Sequence, residues 1–193
     1  MTKKKTINLS NDRTVKKASI ADLSVVMDFI EQGKAKMIKA GNPNQWSANY
    51  PAIETIERDI VQGDCYLLYE GGKAIATFVF KEGPEPNYQR IDDGSWLDDQ
   101  PYYVIHRVAS AEGVHGVMAD VISYCSSFTS SIRIDTHADN RPMQASLTRL
   151  GFVYCGVIYV YIIANRCPFT CFGHNICVSS LARFKVNIIT WIN

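Results

Sequence analysis

Gly113 and Gly116 stand between a run of strand-forming residues and a helical pattern, an arrangement that can hold an anion. Tyr102-Tyr103-Val104-Ile105 is aromatic and β-branched and reads as a buried strand. Polar His106 and Arg107 follow, then Val108 and Ala109. From Val117 the period changes, with Val117, Val121, Tyr124 or Cys125, and Phe128 at helical spacing. The first turn of a helix has unpaired N–H donors, and a glycine loop before it aims them at a phosphate. The same unit is also a plain connection in many α/β proteins. A second polar cluster, His137 with Asp139, either orients a substrate or shapes a turn. Near the end, Cys167, Cys171, His174 and Cys177 place four soft ligands within eleven residues, which admits a zinc knuckle in a binding module. That spacing is not a standard one and no basic, aromatic patch accompanies it, so no metal is expected.

The rest of the chain must position these groups. At 193 residues it is long enough to bury one proper core. A net charge of +1 gives no argument for nucleic acid, and no apolar run is long enough to span a bilayer, so neither nucleic acid nor membrane is expected as a partner. The start lacks the apolar run of a signal peptide, and six irregularly spaced cysteines fit reduced thiols, so a cytoplasmic protein is expected.

Thr14 to Ser19 reads as a first strand, and Ser19-x-x-Asp22 as a capping box opening a helix that ends at Ala40-Gly41. Asn42 to Tyr50 is a loop that tucks Trp46 against the core or uses it to grip a substrate. Pro51 suits the first position of a second helix, lined by Ile53, Ile56 and Ile60. Cys65 to Glu70 and Lys73 to Lys81 flank Gly71-Gly72 as a hairpin. Gly83 to Gln100, with five acids, reads as a solvated surface loop, or else as a wall attracting a cationic substrate. Ser131 to Thr136 is the next strand, followed by a helix from about Asn140 to Gly151. Phe152 to Tyr161 is a further strand, with a bulge at Gly156. The order predicts a mixed α/β sheet with helices on both faces.

Three stretches between Val15 and Tyr161 carry a resemblance: YVIHRVASAEGVHGVMADVISYC, IRIDTHADNRPMQ, and Leu150-Gly151-Phe152 with Tyr154-Cys155-Gly156. Together they resemble the GNAT superfamily of acetyl-coenzyme A-dependent N-acetyltransferases. The resemblance implies a mostly antiparallel central sheet and transfer of an acetyl group from acetyl-coenzyme A to a primary amine of a small molecule or peptide. It implies backbone contacts to the coenzyme from Val108 and Ala109, and a pyrophosphate site in the loop Gly113, Val114, His115, Gly116, Val117 and Met118. Asn140 matches the family's coenzyme-contacting Asn, and is equally read as a helix cap. The family's loop pattern is Arg or Gln, two residues, Gly, one residue, then Gly or Ala; here those positions are Gly113, Gly116 and Met118. The resemblance leaves a homodimer open. A coenzyme-binding or regulatory protein without turnover is the alternative within the same fold.

Acetyl transfer asks for three things. An amine with a pKa of about 10.4 is neutral in only about one molecule in 10³ at neutral pH, so a base must assist. On the family's strand His106 is that candidate, against a core histidine satisfied by a neighbour. The oxyanion wants a preorganised donor, for which an N–H near Val108 serves. The leaving thiolate wants an acid, but the family's tyrosine position on the last helix is Leu147. The chain divides into 1–161, carrying the resemblance, and a tail, 162–193, unlike the family's ending. That tail holds three cysteines, and no Asp or Glu occurs after Asp139. Either Phe184-Val186-Ile188, which alternates with polar residues, or Phe169 to Phe172 is expected to pair with the Phe152–Tyr161 strand.

Overall fold

The structure, a computed structural model, describes residues 9–10, 12–46, 49–163 and 181–192. In chain order these are β1 (Thr14–Lys17), α1 (Leu23–Lys39), α2 (Ile53–Val61), β2 (Cys65–Glu70), β3 (Lys73–Glu82), β4 (Tyr103–Ser110), α3 (Val117–Cys125), β5 (Ser131–His137), α4 (Arg141–Arg149), β6 (Val153–Ile163) and β7 (Leu181–Ile192). The strands form one sheet in the order β1-β2-β3-β4-β5-β7-β6. Every pairing is antiparallel except that between β4 and β5. The expected mixed, mostly antiparallel sheet is therefore the observed one.

Period-two alternation in β2 divides the core. Cys65 and Leu67 face a layer with Val26, Phe29 and Ile30 of α1 and Ile56 and Ile60 of α2. Tyr66 and Leu68 face the opposite layer, with Val117, Val121 and Ile122 of α3 and Leu147 of α4. Helices thus cover both faces. The capping box at Ser19 and Asp22 is formed, with the Asp22 carboxylate accepting from the Ser19 backbone N–H at 2.8 Å. Gly71 and Gly72, both at positive φ, make the two-residue turn between β2 and β3. Trp46 is buried against the α1 layer. Pro51 lies one residue before the helix cap Ala52 rather than in the first turn of α2.

Two features depart from the sequence reading. β7 contains the alternating segment expected to pair with β6, but it also pairs with β5 from Ser131↔Ile192 to His137↔Val186. It is inserted between the two strands, so β6 becomes the sheet edge. The rival segment Phe169 to Phe172, like Cys167, Cys171, His174 and Cys177, lies outside the described residues.

The acidic excursion 83–100 is not a solvated loop. Tyr88 packs with Val104 and Ile158, flanked by Trp96 and Tyr102. Arg133 of β5, 4% exposed, is sandwiched between Trp96 at 4.0 Å and Tyr102 at 3.8 Å, and its Nη2 donates to the Asp98 carbonyl at 2.8 Å. Asp92 and Val157 exchange two backbone hydrogen bonds of 2.8 Å beside the bulge at Gly156. The excursion is a strap clamped across the sheet. Its close approach leaves no room at Gly94, where a Cβ would lie 2.0 Å from the Cys155 carbonyl oxygen. Gly94→Ala is expected to cost about 1–3 kcal/mol of stability, read by urea unfolding. An unchanged midpoint would mean that the strap does not lie this close to β6.

Candidate active site

The site begins where two strands separate. β4 and β5 pair only at Tyr103↔Ile132, Val104↔Arg133 and Ile105↔Ile134. Across its other edge β4 bulges: Val79 faces His106 and Thr77 faces Ala109, so Arg107 and Val108 together oppose Phe78. Arg107 carries the bulge at a φ of +50°, a left-handed conformation that costs a non-glycine residue about 1–3 kcal/mol. An opening results between the two strands, with β4 backbone beyond Ile105 no longer paired to β5.

Three adjoining cavities follow this opening. The first, about 390 Å³, is lined by Val108, Ala109 and Ser110 of β4 and by Val114, His115, Gly116, Val117 and Met118. Gly113 and Gly116 both adopt positive φ, which sets the loop and places Gly116 as the cap of α3. Met118, at the position where the resemblance expects a small residue, is buried in the core with Val121. His115 is exposed, and its carbonyl accepts from Arg13 Nη1 at 2.9 Å. The cation at this cavity is Lys36 of α1, whose Nζ donates to the Ser110 carbonyl at 2.8 Å and the Ala111 carbonyl at 2.7 Å. Burial pulls the Lys36 pKa below the ordinary lysine range.

The second cavity is small and lies at the parting of the strands. Met37, Trp46, Tyr50, His106, Arg107, Val108, Thr136, Asn140 and Met143 are among its walls. Asn140 caps α4, its Oδ1 accepting from the Met143 N–H at 3.2 Å, while its Nδ2 donates to Gln45 Oε1 at 2.8 Å. Thr136 is 1% exposed, and its hydroxyl has no hydrogen-bond partner among the described residues. Leu147 is fully buried in the core, so α4 presents no acid here.

The third cavity, about 270 Å³, is lined by Thr55, Arg58, Asp59 and Gln62 of α2, by the strap's Glu85, Asn87 and Tyr88, and by Tyr50, Lys81, His106, Arg107 and Asp135. His106 stands between two carboxylates. Its Nδ1 is 3.1 Å from Asp135 Oδ1 and its Nε2 is 3.4 Å from Glu85 Oε2. Burial opposes charging the ring, but hydrogen bonds to Asp135 and Glu85 outweigh it and raise the His106 pKa above its ordinary value. Burial likewise pushes both carboxylates up, yet His106 with Lys81 pulls Glu85 down to about 2, and His106 with Tyr88 lowers Asp135. Tyr88 donates its hydroxyl proton to Asp135. Arg107 Nη2 is 2.6 Å from Asp59 Oδ2.

The sequence-read residues thus fall into two groups. Val108, Ala109, Val114 to Met118 and Asn140 line one continuous cleft, with Gly113 at its loop, and His106 faces the cavity beyond it. His137 instead accepts from the Asp139 backbone N–H at 3.2 Å, the turn-shaping alternative. Sequence reasoning missed Lys36, Glu85, Asp135 and Thr136. Glu85 and Asp135 are brought to His106 from the strap and β5 by tertiary folding, which no local spacing records. Among the described residues no His, Cys, Asp and Glu cluster has the makings of a metal site, and no helix is long and apolar enough to cross a membrane.

No family model matches this sequence, and no curated protein matches it. Solved structures do. An acetyltransferase of the GNAT family from Streptococcus agalactiae is 24% identical over 96% of this chain and 99% of that one, with a TM-score of 0.75. A GNAT-family acetyltransferase from Listeria monocytogenes is 15% identical over 94% of this chain and 95% of its own, with a TM-score of 0.63. An aminoglycoside N(6')-acetyltransferase from Legionella pneumophila is 11% identical over 95% of this chain and 94% of its own, with a TM-score of 0.61. The fold is that of the GNAT acetyltransferases.

The charge cluster sets a pH window for stability. The lowered carboxylates contribute above their unfolded values of about 4 and lose that contribution as pH falls through their folded ones. His106 contributes fully below about 6.5 and loses its contribution as pH rises through its raised folded value. Melting temperature is therefore expected to fall as pH is raised above about 6.5, and His106→Gln to flatten that slope. A slope unchanged in the variant would mean that His106 is not held as a cation.

Proposed function

We propose that this protein transfers an acetyl group from acetyl-coenzyme A to a primary amine. The observation that carries the reading is the continuous run from the glycine-loop cavity, through the parted strands, to the polar cavity at His106. The neighbours in fold are named as acetyltransferases, which supports acyl transfer as the kind of reaction.

The residues present fit the coenzyme. The amides at the start of α3, freed by the cap at Gly116, are donors for a pyrophosphate, and Lys36 adds positive charge. Val108 and Ala109 offer unpaired strand backbone to an amide-bearing arm, and Asn140 lies along the same cleft. Thr136 is a buried hydroxyl without a described partner, in the cavity between the two halves. When bound, acetyl-coenzyme A supplies the acetyl as a thioester, so its C–S bond breaks as the new C–N bond forms.

The chain's own groups handle the charges. The Val108 N–H, turned out at the bulge, serves as oxyanion donor. Asp135 holds Nδ1 of His106, so Nε2 is the ring nitrogen presented to the third cavity. In the fraction of molecules where that nitrogen is unprotonated, it accepts the proton an amine must lose. With Leu147 buried, Thr136 is the hydroxyl left to hydrogen-bond the departing thiolate, whose proton comes from solvent. That weaker arrangement favours one second reading, a coenzyme-binding protein with little turnover.

The test is release of free coenzyme A thiol in the presence of a panel of amines. Turnover is expected to rise with pH through an inflection above about 6.5, and His106→Ala to lower kcat by roughly 10²-fold or more while leaving coenzyme affinity unchanged. Coenzyme binding without turnover on any amine would favour the second reading; no binding would overturn both.

A further inference from the structure

The third cavity separates donors from acceptors in a way that specifies the acceptor molecule. Each of its carboxylates already faces a cation. Asp59 Oδ2 lies 2.6 Å from Arg107, Glu85 Oε2 lies 2.8 Å from Lys81, and Asp135 Oδ1 lies 3.1 Å from His106. The Tyr88 hydroxyl also points its proton at Asp135. Little negative charge is left to meet a second ammonium group.

The donors are less fully used. Arg107 lines this cavity and the transfer cavity, and its buried Nε has no hydrogen-bond partner among the described residues. A buried donor left unmatched costs about 1–3 kcal/mol, and this one sits on the strained residue of the bulge. Arg58 makes one side-chain contact, a 3.5 Å approach to Thr55 Oγ1. Thr55, Arg58 and Gln62 lie three and four residues apart on α2, so they form one polar stripe facing the cavity. Guanidinium groups with donors to spare are shaped for a carboxylate.

We infer that the acceptor is a small molecule carrying a carboxylate as well as the amine, an amino acid rather than a polyamine, with its carboxylate received between Arg58 and Arg107. The inference rests on the reading of this cavity as the acceptor side of an acetyl-transfer site. A volume of about 270 Å³ suits a molecule of that size and is small for a polypeptide segment. The amine then lies toward His106, and Gln62 and Asn87 remain to contact the rest of the molecule.

Matched pairs test the inference: each amino acid against its carboxamide, and lysine and arginine against cadaverine and agmatine. Binding is measured by calorimetry on the full chain with coenzyme A present, and acetylation by thiol release. At least one acid is expected to bind about tenfold or more tightly than its neutral partner, and Arg58→Gln to remove most of that difference. Neutral partners binding as well as the acids, no acid binding at all, or a preference untouched by Arg58→Gln would overturn it. Selective binding of acids without acetylation of any would uphold the carboxylate site and count against acetyl transfer instead.

Discussion

The parting of β4 from β5 is the constraint on which the rest depends. Parallel strands pair side by side only while both stay in register, and here the pairing lasts three residues. The bulge at Arg107 and Val108 ends it by turning the β4 backbone at a φ of +50° for Arg107. β5 meanwhile remains paired along its whole length to β7 on its other side. One strand is held while the other is released. The gap gains exposed backbone groups on β4 and a buried hydroxyl, Thr136, on β5, and everything that could meet a thioester is arranged around it.

Charge is organised around the same gap in a second shell of dependence. His106 follows the last paired residue of β4, so its ring emerges where the sheet opens. The strap brings Glu85 and Tyr88 to it, and β5 brings Asp135. The strap is held by the Arg133 sandwich and by the bridge from Asp92 to Val157, both far from the ring in sequence. The protonation of one histidine is therefore tied to the seating of an excursion of some twenty residues.

How much of this the sequence disclosed follows from the range of each interaction. Helices and strands whose signals are local were legible: the capping box at Ser19, the Gly71-Gly72 hairpin and the bulge at Gly156 all stand where spacing placed them. So was the cleft lining from Val108 to Met118, because strand, loop and helix are consecutive. The strap was misread because five acids within eighteen residues look solvated, while the aromatic residues that bury it act across the sheet. The position of β7 between β5 and β6 was hidden for a related reason: alternation shows that Phe184, Val186 and Ile188 form a strand but not how many partners it has. Lys36 gave no signal, since a lysine on a helix is ordinarily solvated, and only the fold carries it to the end of β4.

The account stands most directly on the claim that the opened β4 edge and the turn before α3 together hold the coenzyme. Amide hydrogen exchange, followed residue by residue with and without acetyl-coenzyme A, measures this on the protein as it is. Protection is expected to rise at 108–110 and at 114–118, with 65–70 in the paired β2 strand unchanged as the internal reference. Protection confined to other segments, or none at saturating coenzyme, would contradict it.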